Sequence, residues 1–137
     1  DYFATSKEEY RRRRDAVMKG LRQIPGLQVE EPMGAFYVMA SLPVDDADKF
    51  QKWLLEVFDD NGDTVMFAPG APFYETPGSG VDEVRIAYVL EENKLKRAIE
   101  ILGRSCTTRC NNSGKQYVSK ILFHLLFFFV LNKVGSD

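Results

Sequence analysis

One arginine stands among residues that do not favour it. Arg85 lies inside Val84-Arg85-Ile86-Ala87-Tyr88-Val89, an otherwise apolar run with the alternation of a strand. A guanidinium is costly to desolvate unless a carboxylate, phosphate or carbonyl pairs with it. Its planar fork of donors fits a carboxylate through two parallel hydrogen bonds. One chemistry open to Arg85 is therefore capture of an acid group. The other reading is structural: an arginine on an edge strand, paired with Glu83 or Asp82 or open to water. On residue pattern alone the structural reading is the ordinary one.

The remaining polar features carry less. Arg11 to Arg14 form a run, but four successive residues wrap more than a full helical turn and cannot make one flat patch. Glu8, Glu9 and Asp15 share that segment, so a solvated helix face is expected and nucleic acid is not a partner. Gly34-Ala35-Phe36-Tyr37 and Pro69-Gly70 fit neither GxxxxGK[ST] nor GxGxxG and read as turns. Tyr37 and Tyr74 are either polar tips beside a ligand or tyrosines at a core margin. Cys106, Cys110 and His124 fall short of the four N or S ligands of a zinc site. Asn111-Asn112-Ser113 matches a glycosylation sequon, read as chance.

Around these residues the chain alternates helical and strand patterns. Ser6-Lys7-Glu8-Glu9 reads as a capping box, followed by Tyr10, Val17, Leu21 and Ile24 on one stripe up to Pro25-Gly26. Strands are predicted over 27–30 and 35–41. Asp45 or Asp46 opens a second helix in which Phe50, Trp53, Leu54, Val57 and Phe58 follow the amphipathic template. Asp60-Asn61-Gly62 ends it, with Gly62 suited to the left-handed C-terminal position. A strand over 64–68 leads to a Pro/Gly-rich loop ending at Gly80. A strand over 83–90 puts Val84, Ile86 and Tyr88 on one face and Arg85, Ala87 and Val89 on the other. A third helix over 91–102 turns Leu95, Ala98, Ile99 and Leu102 inward and a Glu92–Lys96 pair outward. This order predicts a two-layer α/β domain: a small mixed sheet packed with three helices.

The totals agree. A chain of 137 residues, 45% hydrophobic and 28% charged, is enough for one domain with a real core. Its net charge of -2 gives no reason to expect nucleic acid or an anionic membrane as partner. It opens on Asp1-Tyr2-Phe3 without Met or an apolar signal core, as expected of a segment that begins inside a longer protein not directed to secretion. Thiols without a predicted pairing fit a reducing compartment, so a cytoplasmic location is expected.

Several segments in series resemble one family. Pro32-Met33-Gly34-Ala35-Phe36-Tyr37 resembles the P-x-G-x-F/Y segment of class I and II aminotransferases. Thr64-Val65-Met66-Phe67-Ala68-Pro69-Gly70, then Phe73-Tyr74, then Gly78 and Gly80, is similar to their V-x-x-x-P-G-x-x-F…G loop, and Val84-Arg85-Ile86-Ala87-Tyr88 to their V-R-I-S/A-Y/F strand. The likeness covers about residues 2–103 and is nearest the aspartate-aminotransferase branch. It implies the C-terminal small domain of a fold-type-I pyridoxal 5'-phosphate enzyme, residues 1–103. The substrates implied are an amino acid and a 2-oxo acid, and the parent enzyme a homodimer. It assigns Arg85 to the substrate's α-carboxylate and places Phe36 near the cofactor cleft. The Schiff-base lysine, the partner of the pyridine nitrogen and most phosphate ligands belong to the family's large domain, so this chain is expected to be inactive alone. Ser119-Lys120 lies on the wrong side of the small domain to be the Ser-x-x-Lys region. Two alternatives stay open: another fold-type-I enzyme, such as an acyl-transferring synthase, and a non-catalytic aminotransferase-like binding module. The sequence upstream of Asp1 separates them.

Residues 104–137 depart from the family pattern. Arg104–Lys120 reads as polar and irregular, and Ile121–Leu131 as a short apolar helix. Eleven residues give about 16 Å of helix, short of the ~30 Å hydrocarbon core. The segment is read as a translated intron, a frameshift or a fused end, with a membrane anchor as the alternative.

Overall fold

The computed structural model describes residues 1–111 and 129–132. In chain order it contains α1 (Tyr2–Leu21), β1 (Gln28–Val29), β2 (Tyr37–Ser41), α2 (Ala47–Glu56), β3 (Asp63–Met66), β4 (Ala68–Pro69), a 3-10 turn (Ala71–Phe73), β5 (Glu83–Ala87), α3 (Glu92–Asn111) and β6 (Phe129–Asn132).

The first helix begins earlier than its capping box predicts. Asp1 caps it, accepting from the Phe3 amide at 3.2 Å, and nothing in Tyr2–Thr5 breaks a helix, so Ser6 lies inside. Val17, Leu21 and Ile24 are buried as expected, whereas Tyr10 is 41% exposed. In α2 the capping residue is Asp46, whose carboxylate accepts from the Lys49 amide at 3.0 Å. Phe50, Trp53 and Leu54 face the core, but the helix stops at Glu56 and leaves Val57 exposed. Asn61 and Gly62 both have positive φ, 57° and 86°. They close a two-residue turn in which the backbones of Asp60 and Asp63 exchange hydrogen bonds of 2.9 and 3.1 Å. Gly62 therefore serves a hairpin turn rather than a helix end.

The sheet runs β1-β2-β5-β4, and every ladder is antiparallel. That corrects the mixed sheet expected from the element order. A helical crossover does join like-directed strands, β2 and β4, but β5 lies between them and opposes both. The neighbours β1–β2 and β4–β5 follow directly in sequence, and antiparallel pairing needs no long crossover.

Alternation along the strands then decides two faces. Val38, Ala40, Val84, Ile86 and Tyr88 are buried against the helices. Tyr37, Met39, Ser41, Glu83, Arg85 and Ala87 take the opposite, partly open face. Burial of one Leu, Ile or Phe contributes about 1.5–3 kcal/mol, so the face holding Val84 and Ile86 anchors β5.

The third helix does not stop at Leu102. It continues through Asn111, with Ser105 and Cys106 buried in line with Leu95, Ala98, Ile99 and Leu102. Arg109 lies over the Trp53 ring at 5.7 Å. The irregular segment expected from Arg104 is thus corrected for residues 104–111, because an inward stripe persists beneath a polar exterior. The end of the expected apolar helix is also different. Phe129–Asn132 is a strand paired antiparallel with β3, Val130 opposite Val65, where the pairing offers an extended backbone hydrogen-bond partners. The stretch 112–128 of the expected tail lies outside the described residues.

Surface charge is used within the chain. Arg11 pairs with Glu8 at 3.1 Å and Arg14 with Asp15 at 2.7 Å. Arg13 pairs with Glu9 and donates to the Val89 carbonyl at 2.6 Å, tying α1 to the segment after β5. Asp60 receives Arg97 and Arg104, each at 2.9 Å, which fixes α3 to the turn before β3. No helix among the described residues is long and apolar enough to cross a membrane.

Candidate anion-binding site

Arg85 is the third residue of β5, an interior strand, with Met39 of β2 and Ala68 of β4 as its ladder partners. The edge-strand reading therefore does not describe it. Its guanidinium carbon lies 4.6 Å from the centre of the Phe73 ring and 5.3 Å from that of Tyr37, within the range where aromatic faces attract a cation. Among the described residues it pairs with no carboxylate. The two acids expected to neutralise it are engaged elsewhere. The Tyr74 hydroxyl donates to Glu83 Oε2, and the Ser41 hydroxyl donates to Asp82 Oδ2.

The elements that create this arrangement are local. Antiparallel register brings Tyr37, two residues before Met39, to Arg85's face. The 3-10 turn after Gly70 delivers Phe73 from the other side, with the Phe73 amide donating to the Gly70 carbonyl at 2.9 Å. Both rings remain substantially exposed. What results is a half-buried cation with aromatic flanks and donors left over, which suits a planar carboxylate.

Phe36 sits one residue outside β2. Its ring packs edge-on against Tyr37, with centroids 6.4 Å apart and planes at 84°, and its carbonyl accepts from the Tyr88 amide at 2.9 Å. The structure thus connects Phe36 to Arg85 only through Tyr37. Tyr88 reaches back to the Ala35 carbonyl at 2.8 Å. Ala35 has a positive φ of 59°, so this hydrogen bond holds a strained turn next to the site. Burial pushes the Tyr88 phenol above its ordinary value, and the Arg14 charge partly opposes that shift. The bond to Glu83 raises the Tyr74 phenol. Sequence reasoning left Tyr37 open between a ligand-side tip and a core margin, and gave Phe73 no role beside the cation. The alternation of β2 carried the signal for Tyr37, but the loop conformation that brings in Phe73 had none.

A depression of about 550 Å³ adjoins the same sheet face, lined by Glu30, Glu31, Tyr37, Met39, Tyr74 and Glu83 among others. A second, of about 650 Å³, lies between α1, α3 and Asp59-Asp60. Neither includes Arg85, which stands on an open face and not in a closed pocket.

Known proteins resemble this chain in sequence and in fold. The aspartate aminotransferase of Pyrococcus horikoshii is 38% identical over 95 residues, covering 68% of this chain and 22% of its own. The aspartate/prephenate aminotransferase of Thermus thermophilus is 35% identical over 110 residues, covering 76% and 26%. The chain belongs to the aspartate-aminotransferase-like family. The aspartate aminotransferase from Thermus thermophilus solved with maleate superposes with a TM-score of 0.62 at 31% identity, over 76% of this chain and 25% of that one. No protein-family model matches the chain. The chain spans about a quarter of the length of the curated relatives it matches, which fits a small-domain segment of the family's α/β fold. The family's coenzyme is pyridoxal phosphate.

The residues on Arg85's face do not by themselves fit that coenzyme. Lys7 and Lys19 lie on α1, Lys49 and Lys52 on α2, and Lys94 and Lys96 on α3, so the sheet face offers no described amine for an imine. Among the described residues its strands offer one cation, Arg85, enough for a single carboxylate.

Proposed function

We propose that the complete protein moves an amino group between an amino acid and a 2-oxo acid with pyridoxal phosphate as electron sink, and that Arg85 holds the substrate's α-carboxylate. In this reading residues 1–103 act as the small domain, closing over the cleft when substrate binds and excluding water. Phe36 and Tyr37 contribute to the pocket margin. The lysine and the remaining coenzyme ligands come from the large domain, and this chain alone does not turn over substrate.

The observation that carries the reading is the state of Arg85: an interior-strand guanidinium between Tyr37 and Phe73, without an acid partner among the described residues. An arginine kept for stability would be expected to hold Glu83, two residues away on the same face, yet Glu83 is bonded to Tyr74. A relative solved with maleate, a dicarboxylate, supports an acid as the ligand.

The test is Arg85→Ala in the complete enzyme. Hydrogen bonds to charged groups contribute about 1.5–3 kcal/mol, so KM for the amino acid should rise roughly 10- to 150-fold while coenzyme affinity stays within about twofold. Arg85→Lys should recover little, because an ammonium lacks the fork. An unchanged KM would remove Arg85 from the site.

A further inference from the structure

We infer that Tyr74 is a positioning residue which keeps the anion site open by occupying Glu83, the acid that would otherwise close onto Arg85. The inference rests on the assignment of Arg85 to a carboxylate and adds how that guanidinium stays available.

Glu83 and Arg85 are two residues apart on one strand and project from the same sheet face. Both side chains are long enough to meet across that spacing, and opposite charges so placed normally pair. They do not pair here. Glu83 holds the Gly70–Gly80 loop through three separate groups. Its carbonyl accepts from the Gly70 amide at 2.6 Å, its amide donates to the Gly80 carbonyl at 3.1 Å, and its carboxylate accepts from the Tyr74 hydroxyl. Gly80 makes room for this. Its φ is +66°, and a Cβ there would collide with the Tyr74 ring. The chain thus gives up a side chain at position 80 so that the phenol can lie along the loop and reach the acid. Phe73, the residue before Tyr74, is thereby set over the guanidinium at 4.6 Å. One hydroxyl does two things: it draws the carboxylate away from the cation and fixes the ring above it.

Removing the hydroxyl should convert Glu83 from a loop anchor into a competitor. In Tyr74→Phe the freed carboxylate faces, among the described residues of its own sheet face, the Arg85 cation that the ligand needs. The pair would be partly exposed, so the competition is modest. The ceiling for such pairs corresponds to about fivefold in an equilibrium constant.

The experiment uses the full chain, with the Arg85 Nε–Hε resonance as reporter and maleate as probe. Tyr74→Phe should displace that resonance, and adding Glu83→Gln should return it toward its original position. Maleate should bind Tyr74→Phe up to about fivefold more weakly than the parent chain, and the double variant should regain the difference. A purely structural tyrosine would give a loss that Glu83→Gln deepens instead of reversing, and that result overturns the inference. An Arg85 resonance indifferent to Tyr74→Phe overturns it equally. If Arg85→Ala leaves maleate binding intact, the assignment of Arg85 to the ligand fails instead, and the resonance comparison still decides whether Tyr74 holds Glu83 away.

Discussion

Replacing Phe50 by alanine should remove a large share of the fold's stability, because that ring connects α2 to the strands carrying the loop beside Arg85. Phe50 is fully buried, 5.7 Å from Trp53 and 6.0 Å from Phe67 between ring centroids, with planes inclined by only 19° and 23°. Phe67 stands between β3 and β4, where its amide donates to the Gln51 side chain at 2.8 Å. Truncation at position 50 therefore opens a cavity at the joint from which Pro69-Gly70 departs. Phe→Ala in a core costs about 3–5 kcal/mol, of which the cavity, at about 24 cal/mol per Å³, supplies a substantial part. Each lost ring pair adds about 0.5–1.5 kcal/mol to what area alone would give. Set against a total of about 5–15 kcal/mol, the upper part of that range suits this site, since two rings lose their partner together. Phe50→Leu keeps most of the volume and should cost about 1–1.5 kcal/mol. The assay is urea unfolding followed by fluorescence of the single tryptophan, Trp53, alongside far-ultraviolet circular dichroism. A loss below about 1 kcal/mol for Phe50→Ala would refute this packing, since no closely packed core site collapses that completely.

Asp60 and Tyr88 give further outcomes from their own contacts. Asp60→Asn leaves Arg97 and Arg104 without their shared carboxylate and should destabilise the chain by about 1–3 kcal/mol; repeating the urea melts at 1 M salt should shrink the difference, because screening weakens partly exposed pairs in the parent too. The Tyr88 phenol, with its folded pKa raised by burial, should titrate in ultraviolet difference spectra above ordinary tyrosine. Its contribution to stability is complete below the unfolded phenol's pKa and is lost as pH rises through the folded one, and Tyr88→Phe should cost about 1 kcal/mol at neutral pH by orphaning the Ala35 carbonyl.

The elements that sequence made legible are those whose signal is local and periodic. The buried face of β5 follows from alternation at Val84, Ile86 and Tyr88, and the inward stripe of α3 from Leu95, Ala98, Ile99 and Leu102. Asp46 as a helix cap needs only its own side chain and the next turn. Local rules failed where two signals competed: Asp1 displaced the Ser6 capping box, and Asn61-Gly62 served a hairpin turn instead of a helix end. The step in composition at Gly103 was real, yet α3 ran across it because Ser105 and Cys106 still face the core.

Sequence alone marked Arg85 as an unusual charge and supplied the family likeness from which its proposed ligand comes. It could not say whether Glu83 or Asp82 would neutralise that charge, because nearness along a strand says nothing about which hydroxyls arrive from elsewhere. Ser41 reaches Asp82 across the β2–β5 ladder and Tyr74 reaches Glu83 from a folded loop. Phe73 and Tyr37 likewise approach from opposite sides in sequence. A guanidinium's availability depends on every donor and acceptor that packing brings near it, and only the tertiary structure decides which those are.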